Sequence, residues 1–96
     1  MTELRIRSQF PDSLKQIIES ALSERLYSIE VGIKRTEERP QEFENQYHLS
    51  TAAFIQKFNN DELTHSFDFD EWIGESRMFN HLQTQKKIVQ GVEFVN

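Results

Sequence analysis

Glu62-Leu63-Thr64-His65 sets a carboxylate and an imidazole three residues apart, the spacing that di-iron and di-manganese helical bundles use for their ligands. A complete site of that kind needs two such motifs and two further inward Glu, which only a dimer could bring together. The motif also falls in "NNDELTHS" (residues 59–66), a run with turn chemistry, where the two side chains share no helix face. Oxygen and imidazole ligands must converge to hold a metal, and nothing in this spacing makes them do so. His48 follows Tyr47 at the end of a segment, and His81 lies one helical turn after Arg77 on what reads as an exposed face. No Ser/His/Asp order forms a nucleophile elbow, and no Gly-rich loop could cradle a phosphate. The expectation is a protein without metal, cofactor or catalysis of its own.

Two other groups of residues suit recognition. Arg5, Arg7 and Gln9 alternate with Leu4, Ile6 and Phe10, so they would line one face of a short strand. A two-stranded ribbon built from such strands in a dimer can read the major groove, where Arg suits guanine and Gln suits adenine. A charged edge strand that keeps the chain soluble is the plainer alternative. The second group is acidic. From Asp61 to Glu75 there are six carboxylates (Asp61, Glu62, Asp68, Asp70, Glu71, Glu75) and no Lys or Arg, which repels phosphates and attracts basic surfaces. Within it Asp68, Asp70, Glu71, Trp72 and Glu75 form the candidate partner-binding set. Trp is enriched at binding hot spots, but its spacing from Phe69 and Ile73 equally suits a core position.

The elements that must position these residues follow from periodicity. Pro11 ends the N-terminal strand, and a helix follows, capped by Asp12 or Ser13, with Ser13 and Gln16 as a capping box. Leu14, Ile17, Ile18, Ala21, Leu22, Leu26, Ile29 and Ile33 recur at spacings of three and four, so one apolar stripe runs to about Thr36. Pro40 predicts a kink or a restart, because it lacks the N–H that a helix interior uses. A short helix then carries Phe43 and Tyr47, and a second, capped by Ser50, carries Phe54 and Phe58. A long C-terminal helix opens on Asp68 and Glu71 as a capping box and runs to about Gln90, with Gly91 as its C′ residue. Phe69, Trp72, Ile73, Phe79 and Leu82 form its packing face, and "VEFV" (residues 92–95) reads as a terminal strand.

The chain of 96 residues is expected to be one mainly α domain over 1–96. Its plan is a short strand, a long helix, two short helices and a long C-terminal helix, arranged as an antiparallel helical hairpin or bundle. With 36% hydrophobic and 28% charged residues, it suits narrow apolar stripes better than a thick core. A chain this small gains stability from a second copy, so a homo-oligomer is expected. The net charge of −5 arises entirely after residue 39: residues 1–39 balance at seven of each sign, and residues 40–96 hold four bases against nine acids. There is no Cys, which removes disulfides and thiolate zinc sites and fits a reducing cytoplasm. "MTELRIRSQF" has no signal-like apolar run, and no window approaches a membrane span. A cytoplasmic protein is the expectation.

Two blocks together, "FENQYHLSTAAFIQKFNNDEL" (Phe43–Leu63) and "DFDEWIGESRMFNHL" (Asp68–Leu82), resemble a family of small helical bacterial proteins. The likeness runs from about Leu26 to Phe94, and Glu71-Trp72 is its most specific part. Members are often encoded beside a small toxin-like protein, so the resemblance implies an antitoxin-like partner subunit. The family brings no active site to carry over. Pro40 departs from a helix that is continuous in the family, and His48 stands where the family often has Gly at a tight left-handed turn. The functional expectation is therefore a non-enzymatic protein–protein interaction module that neutralises a small basic partner. The alternative is a dimeric DNA-binding regulator that uses Arg5, Arg7 and Gln9.

Overall fold

The computed structural model of the chain describes residues 2–95, in which three helices follow one another: α1 (Pro11–Tyr47), α2 (Thr51–Asn59) and α3 (Phe67–Gln90). α1 has 37 residues, a length of about 55 Å. α3 returns alongside it, as the cross-contacts show: Arg25 meets Gln85, Glu30 meets Lys86, Arg39 meets Glu71 and Tyr47 meets Asp68. From the start of α1 to its end the partners run from the C-terminal part of α3 back to its first turn, so the pair is antiparallel. α2 folds against the end of the hairpin where α1 finishes and α3 begins. The molecule measures 58 × 26 × 17 Å, an extended shape rather than a closed bundle.

The core lies at the α2 end. Phe43, Phe54 and Trp72 are fully buried there, with Ile73 beside them, and Leu49, Ile55, Phe58, Leu63 and Phe69 close its edges. Farther along the seam, Ile29, Ile33, Thr36 and Pro40 are buried between α1 and α3. The expected stripe on α1 is thus right for Leu14, Ile18, Leu22, Leu26, Ile29 and Ile33, all at least half-buried, whereas Ile17 is 64% exposed and Ala21 is also exposed.

Several boundaries differ from those the sequence predicts. No strand forms at residues 2–10, where Leu4, Ile6 and Phe10 stand exposed, and none forms at 92–95. Alternation supplies a strand's pattern but not its hydrogen bonds, and no neighbouring strand among the described residues offers a ladder for these backbone groups. α1 starts at Pro11 itself, with Pro in the first turn and no side-chain cap, so Asp12 and Ser13 lie inside the helix.

Pro40 neither ends nor restarts α1, so one short helix, not two, stands between the long ones. An interior Pro costs a helix roughly 3 kcal/mol. Here its ring is buried together with Thr36 and Phe43, so tertiary packing offsets that cost. α1 stops instead at His48, which takes the left-handed conformation (φ 51°, ψ 46°) and donates its N–H to the Glu44 carbonyl.

Ser50 caps α2 as expected, its Oγ accepting from the Ala53 N–H at 3.1 Å. α3 begins slightly earlier than the sequence predicts, because Ser66 rather than Asp68 is the cap and accepts from the Phe69 N–H at 3.1 Å. Asp68 and Asp70 occupy its first turn, where carboxylates suit the helix dipole. Gly91 follows the last turn with φ −83°, so no left-handed residue ends α3.

Candidate functional site

The first turns of α3 are held from behind by aromatic packing. The Trp72 indole stacks on Phe54 with centroids 3.9 Å apart and planes 1° from parallel, and on Phe43 at 5.5 Å. Phe69 packs tilted between Tyr47, at 5.1 Å, and Phe54, at 5.5 Å. The Trp72 Nε1–H donates to Thr51 Oγ1 at 3.1 Å, which ties α3 to the start of α2 and satisfies the one polar atom the indole buries. Trp72 is 0% exposed, so its side chain offers a partner no surface.

The acids in front of this core are not equally free. Glu71 is ion-paired to Arg39 of α1, whose guanidinium also pairs with Glu42 at 2.5 Å and lies 4.5 Å over the Phe43 ring. Hydrogen bonds to Glu71 and then Glu42 hold Arg39 firmly in its charged form. Asp68 accepts from the Tyr47 hydroxyl at 2.5 Å and, at 3.5 Å, from Gln46 Nε2. The hydrogen bond to Asp68, followed by desolvation and the carboxylate's charge, pushes the Tyr47 phenol above its ordinary value. Glu75 is half-buried beside a shallow groove that Arg35, Thr36, Arg39 and Met78 also line. Asp70 is the outward member of the set, 3.6 Å from His65 Nδ1 and exposed.

On the outer face of α3, Phe67, Asp70, Glu71, Gly74 and Met78 fall at helical spacings on the side away from Trp72. Phe67 is 94% exposed and Met78 is 50% exposed. The face therefore presents a free aromatic ring at the helix head, a carboxylate one turn on, and a thioether two turns beyond that. Sequence reasoning misses Phe67, although a signal is there: it falls off the 69–72–73–79 stripe and onto the acidic side of the helical wheel. Such a face can steer a basic surface by charge and then bury an apolar contact.

The remaining candidates are scattered. Glu62 and His65 lie in the turn between α2 and α3, exposed and outside any helix, and the His65 ring meets Phe58 edge-on at 5.6 Å. Among the described residues, no three His, Asp or Glu side chains come together as a metal cage. His48 serves as the left-handed end of α1, and His81 is exposed on α3. Arg5, Arg7 and Gln9 are exposed on an irregular segment, where Ser8 Oγ accepts from the Phe10 N–H at 3.0 Å. A single chain thus presents them on no strand face. No helix of the described residues is long and apolar enough to cross a membrane.

Compared with known protein families, curated proteins and solved structures, the chain matches none.

Proposed function

We propose that this chain is a non-enzymatic protein–protein interaction module, and that its outer α3 face docks a small basic partner in the manner of an antitoxin. The observation that carries the reading is Phe67, a 94%-exposed aromatic ring at the head of α3 beside the exposed carboxylate of Asp70. Aromatic rings are common at the centres of interfaces, where one such anchor supplies much of the binding energy. Charge supports a basic partner, since Asp61 to Glu75 holds six acids and no base. The neutralising role follows from the resemblance read in Phe43–Leu63 and Asp68–Leu82, and a chain without Cys fits a cytoplasmic setting.

Within the candidate set the roles divide. Asp70 and Glu75 steer the partner, Glu71 and Asp68 brace the helix against Arg39 and Tyr47, and Trp72 holds the face rigid from behind. Met78 extends the apolar contact. The DNA-binding alternative through Arg5, Arg7 and Gln9 has no structural observation in its favour. The test is affinity purification of the tagged full chain from its native cells in low salt, followed by mass spectrometry. The wild type should retain a stoichiometric small basic protein, and Phe67→Ala/Asp70→Lys should release it. Equal retention by a folded variant would refute the assignment of this face.

A further inference from the structure

The segment before α1 has a strand's alternation and no strand beside it. Leu4, Ile6 and Phe10 are 89%, 62% and 70% exposed. Among the described residues, no backbone–backbone hydrogen bond involves residues 2–9, and the only local tie is the Phe10 N–H donating to Ser8 Oγ. The chain consists otherwise of three helices and their connections, so it offers this segment no ladder of its own. Water satisfies exposed backbone groups, so their being unpaired does not by itself call for a partner. The side chains are what select one.

Laid antiparallel on a second copy of itself with Arg5 at the two-fold axis, the segment sets Glu3 opposite Arg7 twice and Leu4 opposite Ile6 twice. Opposite charges and apolar pairs directly across a ladder both stabilise it. Other registers lose one or both. With the axis at Ile6, Arg5 faces Arg7 and Leu4 faces Ser8, and with the axis at Leu4 the ribbon shrinks to residues 2–6. A slip of one residue sets apolar side chains against charged ones, and a parallel in-register pairing sets Arg against Arg. The chosen register leaves one like-charge contact, Arg5 with itself on the axis, and places Glu3 of the second copy diagonal to it.

We propose that two copies of this chain join through residues 2–8, paired as an antiparallel two-stranded ribbon with Arg5 on the two-fold axis. The contact is isologous, so each copy supplies the ladder that the other lacks. A two-stranded ribbon alone is marginal in water. This one is joined to α1 at Pro11, and Phe10 and Ile17, two helical turns apart, stand 70% and 64% exposed on one side of the opening turns. The Leu4 and Ile6 side chains of both copies therefore have an apolar surface to cover. The outer α3 face around Phe67 lies at the opposite end of the hairpin and stays free, so this proposal does not rest on the partner reading.

Sedimentation of the purified full chain at micromolar concentration should give twice the monomer mass of 11.4 kDa. Ile6→Asp should shift it to the monomer with an unchanged far-UV circular dichroism spectrum, because Ile6 is exposed and lies outside the helices. Phe67→Ala should leave the mass as it is. Charge exchange probes the register: Glu3→Arg or Arg7→Glu alone should weaken the dimer by about tenfold or more, and the two together should restore it. Single cysteines read the axis directly in a chain that has none of its own. Under mild oxidation, Arg5→Cys should cross-link to a covalent dimer many-fold faster than Arg7→Cys. A monomer at every concentration would overturn the proposal. So would a dimer that Ile6→Asp leaves intact, or one that cross-links no faster through residue 5 than through residue 7.

Discussion

Replacing Trp72 with Ala removes the centre of the aromatic core and should be the most damaging single truncation in this chain. The indole is fully buried, stacks on Phe54 at 3.9 Å and on Phe43 at 5.5 Å, and donates to Thr51 at 3.1 Å. Large-to-small changes at buried aromatic sites cost about 3–5 kcal/mol through lost transfer energy and the cavity left behind. The lost hydrogen bond contributes about 1 kcal/mol within or beyond that range, because Thr51 at the edge of the core can turn to water. A domain of this length holds only about 5–14 kcal/mol of stability, so the variant should lose about a fifth of it or more. In melting temperature the loss should be at least about 12 °C.

Far-UV circular dichroism under urea and heat is the right assay, since Trp72 is the only Trp and its fluorescence goes with it. Both proteins must be compared at one concentration, because self-association would add a concentration-dependent contribution. Trp72→Phe keeps a ring between Phe43 and Phe54 and should lose much less than the Ala variant. A cost below about 1 kcal/mol for Trp72→Ala would show that the three-ring stack does not anchor α2 and α3 to α1.

Three further outcomes follow from single sites. Gly74 is exposed in mid-helix, and beyond its chain neighbours and its own helix backbone nothing lies within 4 Å of the position a methyl group would take there. Gly74→Ala should therefore stabilise the chain by about 0.5–1 kcal/mol in urea titration. His48 holds a positive φ of 51°, and His48→Gly should raise stability by about 1 kcal/mol, read as a higher melting temperature, because Gly carries no Cβ penalty there. The Tyr47 phenol is raised above its ordinary value mainly by its hydrogen bond to Asp68. Its stabilisation is full below about pH 10 and is lost as pH rises through the raised folded-state value. Melts at about pH 8 and above about pH 10 should show a drop for the wild type that is smaller in Tyr47→Phe.

Sequence signals are legible here where the physics is local. Ser50 as a cap, the end of α3 at Gln90, and the Phe69–Trp72–Ile73–Phe79–Leu82 packing face all depend on one turn of chain and a 3.6-residue period. Pro40 misleads a local reading because its effect depends on tertiary packing: the lost hydrogen bond is offset by burying the ring, which no local rule reports. The N-terminal alternation misleads for a related reason, since Leu4, Ile6 and Phe10 have the pattern of a strand but no ladder to join. The acidic set is legible as residues but not as a surface. Only the folded chain shows Glu71 neutralised by Arg39, Asp68 engaged by Tyr47, Trp72 sealed inside, and Phe67 left outside.

The most direct test of the proposed function is calorimetric titration of the co-purified basic partner into the wild type and into Phe67→Ala, each at low and at high salt. Docking through this face predicts a binding loss of roughly 30-fold or more for the variant, as for a hot-spot ring. It also predicts weaker binding at high salt for both proteins, as expected for charge steering by Asp70 and Glu75. Equal affinity for the two proteins, with the variant folded, would contradict the central claim that the outer face of α3 is where the partner binds.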